Sequence, residues 1–132
     1  MKNVLFICVE NSRRSQMAEA FFNQLAGGKA KASSAGTNPA NIIDPPVVQA
    51  MKEMGIDISS NRPKKLTVEM LNQADKVITM GCGAENVCPA SFVETEDWGL
   101  EDPKGKSIDE VREIRDEIKS RVAEMLKIYN LA

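Results

Sequence analysis

The stretch Val4-Leu5-Phe6-Ile7-Cys8 leaves this chain few folds to choose from. Five apolar residues in a row, with no polar alternation, read as a strand buried on both faces, and such strands belong to parallel sheets covered by helices. Apolar residues then recur at helical spacing from Ser15 to Leu25, as Met17, Ala18, Phe21, Phe22 and Leu25. Gly27-Gly28 end that helix, and the stretch from Lys29 to Ala35 reads as a second strand closed by Gly36. One right-handed βαβ unit is therefore expected within the first 36 residues.

The alternation continues. Pro45-Pro46 open a helix with a buried stripe of Val47, Val48, Met51 and Met54, ending at Gly55. Thr67 caps a short helix reaching Asn72, and Lys76 to Met80 is another buried strand. Residues 81–90 read as a loop, and a short fourth strand is expected between Ser91 and Trp98. Ser107, with Glu110 three residues on, caps a long final helix whose apolar positions run from Ile108 to Leu126. These elements predict an α/β fold: one domain over residues 1–132, with a four-stranded parallel sheet flanked by helices on both faces. Ligands of such sheets bind at the carboxyl ends of the strands, where Cys8, Cys82 and Asp102 are all expected.

Composition narrows the chemistry. The 132 residues include no histidine, which excludes Ser-His-Asp and Cys-His hydrolases and most catalytic zinc sites. Seventeen basic against nineteen acidic residues give no general attraction to nucleic acid or anionic lipid. No apolar run is long enough for a membrane or export segment, so a cytoplasmic protein is expected. In a reducing compartment its three cysteines are expected as free thiols.

Chemistry concentrates in Cys8-Val9-Glu10-Asn11-Ser12-Arg13-Arg14-Ser15. A loop between a strand end and a helix start can turn the backbone N–H groups of Val9, Glu10, Asn11, Ser12, Arg13 and Arg14 inward as an anion nest, beside about half a unit of positive charge from the helix. Arg14 can clamp a tetrahedral oxyanion through two parallel hydrogen bonds. The same field favours the thiolate of Cys8, so no imidazole base is needed, and Ser15 can donate its hydroxyl to that sulfur. Asn11 tolerates the left-handed backbone such a loop requires. Arg13 is expected as a solvated or rim charge, and Glu10 is expected to point away from the anion.

These residues, together with Gln16-Met17-Ala18-Glu19-Ala20, Ser34-Ala35-Gly36, Cys82, Cys88-Pro89 and the stretch from Trp98 to Pro103, resemble the low-molecular-weight protein tyrosine phosphatase fold. Within it they resemble the thioredoxin-coupled arsenate reductases. The resemblance implies Cys8 as nucleophile, Arg14 as anion clamp and Asp102 as general acid. It further implies a relay in which Cys82 attacks the Cys8 sulfur to release arsenite, and Cys88 then forms a Cys82–Cys88 disulfide for thioredoxin to reduce.

A phosphatase of the same fold needs Cys8, Arg14 and Asp102 alone and remains the alternative; a non-catalytic oxyanion or redox sensor is a third possibility. Lys104-Gly105 follow the Asp-Pro pair where phosphatases tend to carry tyrosine, and Trp98 is the one aromatic residue nearby in sequence, which favours a small inorganic substrate. Arsenate is therefore the expected substrate, with phosphate or sulfate as analogues, in a monomer without cofactor. Some relatives hold potassium through positions matching Asn11, Glu19 and Ser34 plus a further acidic residue. Here that last position carries Lys64, whose ammonium is expected to pair with Glu19 in place of a metal.

Overall fold

An apolar residue at every position of a strand requires cover on both sides, and the two faces are filled differently. The computed structural model describes residues 2–80 and 94–131, in the order β1 (Asn3–Cys8), α1 (Arg14–Ala26), β2 (Lys31–Gly36), α2 (Pro45–Lys52), α3 (Val68–Gln73), β3 (Lys76–Thr79), β4 (Glu94–Asp97) and α4 (Ile108–Ile128). On one face Phe6 and Ile78 meet Phe21 and Phe22 of α1, Val47 and Met51 of α2, and Ile118, Val122 and Leu126 of α4. On the other, Leu5, Ile7 and Val77 pack beneath Leu66, Met70 and Leu71. Successive residues of β1 thus serve opposite cores, which is why its sequence shows no polar alternation.

All four strands are parallel, in the order β2-β1-β3-β4. The chain steps from β1 to one side and later returns to the other, so the carboxyl ends of β1 and β3 flank the crevice where such sheets bind ligands. Cys8 ends β1 opposite Gly36, and Ile7 stands opposite Thr79.

Several element ends differ from expectation for local reasons. Gly27 adopts a left-handed conformation and caps α1, and the turn after it delays β2 to Lys31. Helix α2 stops at Lys52 because Met54 and Gly55 donate to carbonyls three residues back, tightening the final turn out of α-helix. Strand β4 occupies four residues of the predicted Ser91–Trp98 span. The capping box of Ser107 and Glu110 forms, and Thr67 accepts from the Met70 N–H as expected of a cap. No helix among the described residues is long and apolar enough to cross a membrane.

Helix α4 is tied to the end of α2 by charge. Glu53, the C-cap of α2, accepts from Arg112 at 2.7 Å and from Arg115 at 2.9 Å, while Arg115 also donates to the Ala50 carbonyl. The Arg112 guanidinium, aided by Arg115, holds the Glu53 carboxyl at about 2. A carboxyl lowered by folding contributes stability above its ordinary value of 4.5 and loses it as pH falls towards the folded value. Glu53→Gln is therefore expected to lower Tm at neutral pH, with the gap to the parent closing between about pH 5 and about pH 2. Thermal melts across that range check this, and a gap that stays constant to pH 2 contradicts it.

Candidate active site

The loop from Cys8 to Arg13 takes its shape from its neighbour. The carbonyls of Cys8, Val9, Glu10 and Ser12 accept hydrogen bonds from the N–H groups of Thr37, Asn38, Ala40 and Asp44. In a trans peptide the following N–H points the opposite way. The amides of Val9, Glu10, Asn11 and Arg13 are thereby turned from the 37–44 segment to the inner side, where the Asn11 N–H reaches Cys8 Sγ at 3.3 Å. Asn11 makes the bend at φ 51°, in the left-handed region expected of it. Helix α1 then begins with no side chain capping its first turn. An inward ring of N–H groups at an uncapped helix start is suited to a tetrahedral anion.

The sulfur sits within this ring. Cys8 is buried at the end of β1, and its Sγ lies 2.8 Å from Ser15 Oγ. Ser15 Oγ also accepts from Asn11 Nδ2 at 2.7 Å, which leaves its one proton available to the sulfur when Cys8 is a thiolate. Arg14 is buried at the crevice between strand ends: its Nη1 donates to the Met80 carbonyl and, at 2.9 Å, to that of Leu100, and its Nη2 lies 3.7 Å from Asp102 Oδ2. The structure thus brings Cys8, Arg14, Ser15 and Asp102 to one rim. Cys82 and Cys88 lie outside the described residues.

Arg13 corrects the expectation of a solvated charge. Its side chain is 7 % exposed, and its three guanidinium nitrogens face three carboxylates: Nε donates to Asp102 at 2.8 Å, Nη2 pairs with Glu10 at 2.8 Å, and Nη1 lies 3.5 Å from Asp44. Burial works against its charge, but the bonds to Asp102 and Glu10 outweigh that and raise its pKa further above an already basic value. Glu10 meets Lys104 as well, at 3.2 Å; burial disfavours its charge, yet Lys104 and Arg13 together hold its carboxyl below the usual range. Asp102 also accepts from the Lys104 N–H at 3.2 Å, the local turn contact common after an Asp-Pro pair. Trp98, the aromatic residue nearest in sequence, packs in the core with its ring centroid 5.7 Å from that of Phe6.

The predicted pair of Lys64 and Glu19 forms, with Nζ 3.6 Å from Oε1 of the carboxylate. Ser34 donates to the same oxygen at 2.6 Å, and Asn11 Oδ1 already accepts from Gln16 Nε2 and the Lys64 N–H. With an ammonium in place and the amide oxygen engaged, these residues do not fit a potassium ion.

Two contributors are named from sequence only within the family's motifs, Gly36 also as a strand end, and carry no expected role at the site. Gln16 is fully buried behind Asn11. Gly36 lies directly beneath the loop: a Cβ placed on it would stand 2.5 Å from the Val9 carbonyl oxygen and 3.0 Å from Asn11.

Comparison with known proteins agrees with this geometry. Residues 3–131 match the family described as low molecular weight phosphotyrosine protein phosphatase. A curated relative, arsenate reductase 2 of Staphylococcus haemolyticus, is 41 % identical over 123 residues, spanning 92 % of this chain and 93 % of its own. The solved structure of a thioredoxin-dependent arsenate reductase of Corynebacterium glutamicum superposes with TM-score 0.84 at 41 % identity, covering 99 % of this chain; this chain spans 63 % of that protein. An arsenate reductase solved in its phosphate-binding state gives TM-score 0.84 at 38 % identity, over 96 % of this chain and 98 % of its own. The chain belongs to the low molecular weight phosphotyrosine protein phosphatase family, within the part of it that includes the arsenate reductases.

Proposed function

We propose that this protein reduces arsenate to arsenite by a three-cysteine relay, in the service of arsenic detoxification. The observation that carries the reading is the buried Cys8 sulfur, hydrogen-bonded by Ser15 and Asn11 inside an anion nest, in a chain whose relatives are arsenate reductases. Arsenate sits in the nest of residues 9–14, and Arg14 grips its oxygens. The Cys8 thiolate attacks arsenic(V), and one oxygen leaves as water with a proton from Asp102. The Cys82 thiolate then attacks the Cys8 sulfur: the electron pair of the sulfur–arsenic bond goes to arsenic, which departs as arsenite, and the two sulfurs are joined. Cys88 attacks the Cys82 sulfur and frees Cys8 as thiolate, leaving a Cys82–Cys88 disulfide. Thioredoxin is the reductant in this reading, which describes a cytoplasmic monomer.

The test is arsenate-dependent NADPH oxidation with thioredoxin and thioredoxin reductase. Steady turnover is expected of the parent, none of Cys8→Ser, and no more than a single turnover of Cys82→Ser or Cys88→Ser. Mass spectrometry after one turnover of the parent is expected to find the Cys82–Cys88 bond. Parent-rate turnover by both Cys82→Ser and Cys88→Ser contradicts the relay. Aryl phosphate hydrolysis at least as efficient as arsenate reduction favours the phosphatase reading, which uses Cys8, Arg14 and Asp102 alone.

A further inference from the structure

An amide group looks nearly the same from either end, yet one end donates and the other accepts, so its neighbours decide which way it faces. Behind Cys8 that choice is made several residues away. Asn11 Oδ1 accepts from Gln16 Nε2 at 3.1 Å and from the Lys64 N–H at 2.8 Å, which leaves Nδ2 to face Ser15. Gln16 is oriented in turn, because its Oε1 accepts from Asn61 Nδ2 at 3.3 Å while its Nε2 also points at the Arg62 carbonyl, 3.4 Å away. The amide links run donor to acceptor in one direction, from Asn61 through Gln16 and Asn11 to Ser15 Oγ, which lies 2.8 Å from the Cys8 sulfur and is the donor there when that sulfur is a thiolate. Asn11, Ser15 and Gln16 are all fully buried, so water cannot substitute for a missing partner.

We propose that Gln16 is a positioning residue for the nucleophile: by holding the Asn11 amide in one orientation it directs the Ser15 hydroxyl proton onto Cys8 Sγ. Asn61 supports it from the rim of the same network. The proposal rests on Cys8 being the nucleophile, but its test reads the sulfur itself and needs no arsenate. With the Asn11 amide reversed, its oxygen would take the Ser15 proton, and the Cys8 thiolate would lose a donor. Gln16→Glu keeps the shape of the side chain while presenting an acceptor to Asn11 Oδ1, which favours that reversal. Gln16→Met keeps most of the volume and exerts no preference, leaving the Lys64 N–H to hold the amide alone.

The experiment is the rate of Cys8 alkylation by iodoacetamide from acid to alkaline pH, followed by peptide mass spectrometry, with thermal melts of each variant. Gln16→Glu is expected to lower Cys8 reactivity at neutral pH about tenfold, as Ser15→Ala does. Gln16→Met and Asn61→Ala are expected to lower it a few-fold. In the Ser15→Ala background all three are expected to add nothing, because the proton they steer is gone. A packing role for Gln16 predicts the opposite order, since Glu conserves shape better than Met, and effects that follow the loss of Tm. An unchanged pH profile for Gln16→Glu, or shifts that persist on top of Ser15→Ala, overturns the proposal. Should Gln16→Glu fail to fold, parent-like profiles for both Gln16→Met and Asn61→Ala overturn it equally. A protein whose Cys8 follows the expected profile but which does not reduce arsenate sinks the proposed function and leaves the positioning role standing.

Discussion

Replacing Arg14 by lysine is expected to cut kcat/KM for arsenate by about 10²–10³-fold, the range for removing one preorganised donor from an oxyanion site. The guanidinium does two jobs that an ammonium cannot do together. Through Nη1 it joins the carbonyls of Met80 and Leu100, while Nη2 lies beside Asp102. A planar fork can keep this anchor while offering parallel N–H groups to two anion oxygens. Lysine brings one flexible charge, which satisfies the carbonyls or reaches the anion. Arg14→Ala adds a stability cost, because two buried carbonyls lose a partner at about 1–3 kcal/mol each. Steady-state kinetics and urea melts of both variants check this. A lysine variant within about threefold of the parent contradicts the two-bond clamp.

Gly36→Ala is expected to cost about 1–3 kcal/mol of stability and roughly 10²-fold in activity, although it adds a single methyl group. Gly36 is not needed for an unusual backbone conformation, since its φ is not among the positive ones. Space is the reason. The added carbon would press on the Val9 carbonyl and on Asn11, which is main chain that cannot swing aside as the tip of a flexible side chain can. Nor can the glycine retreat, because its N–H donates to the Lys64 carbonyl and its own carbonyl accepts from the Leu66 N–H. The loop must therefore shift away from Gly36, and displacement near 1 Å is enough to misplace a nucleophile. Kinetics together with a thermal melt test this. A variant with parent activity shows that the loop absorbs the methyl group without losing its geometry.

Much of the fold was legible in the sequence because its elements are long, periodic and punctuated. The run from Val4 to Cys8, the apolar stripe of α1 and the Ser107 cap each announce themselves within a few residues. The candidate site was legible where its residues are neighbours in the chain, as Cys8, Asn11, Arg14 and Ser15 are. Arg13 was misjudged because the groups that bury it come from afar: Asp102 lies 89 residues away in sequence, and Asp44 arrives at the head of α2. Nothing local to a charge at a helix start reports such partners. Gln16 and Gly36 stand in the sequence only as parts of motifs, and their roles were not legible for the same reason, since one acts through Asn61 and Asn11 and the other through its fit beneath the loop. Cys82 and Cys88 were assigned from sequence and lie outside the described residues.

Because segment 37–44 grips the anion loop through its carbonyls, the curve of the loop is written in main chain and depends little on which side chains it carries. That gives the protein room to vary. Positions 9, 10, 12 and 13 can change their chemistry while the ring of N–H groups keeps its form, and Glu10 and Arg13 are an instance: an acid at the mouth of an anion site, tolerated because an arginine three residues on neutralises it. Selectivity at this mouth can therefore drift, or be redesigned, in pairs of compensating charges without rebuilding the scaffold. The expensive positions for evolution are instead Gly36 and Asn11, which bear no charge at all.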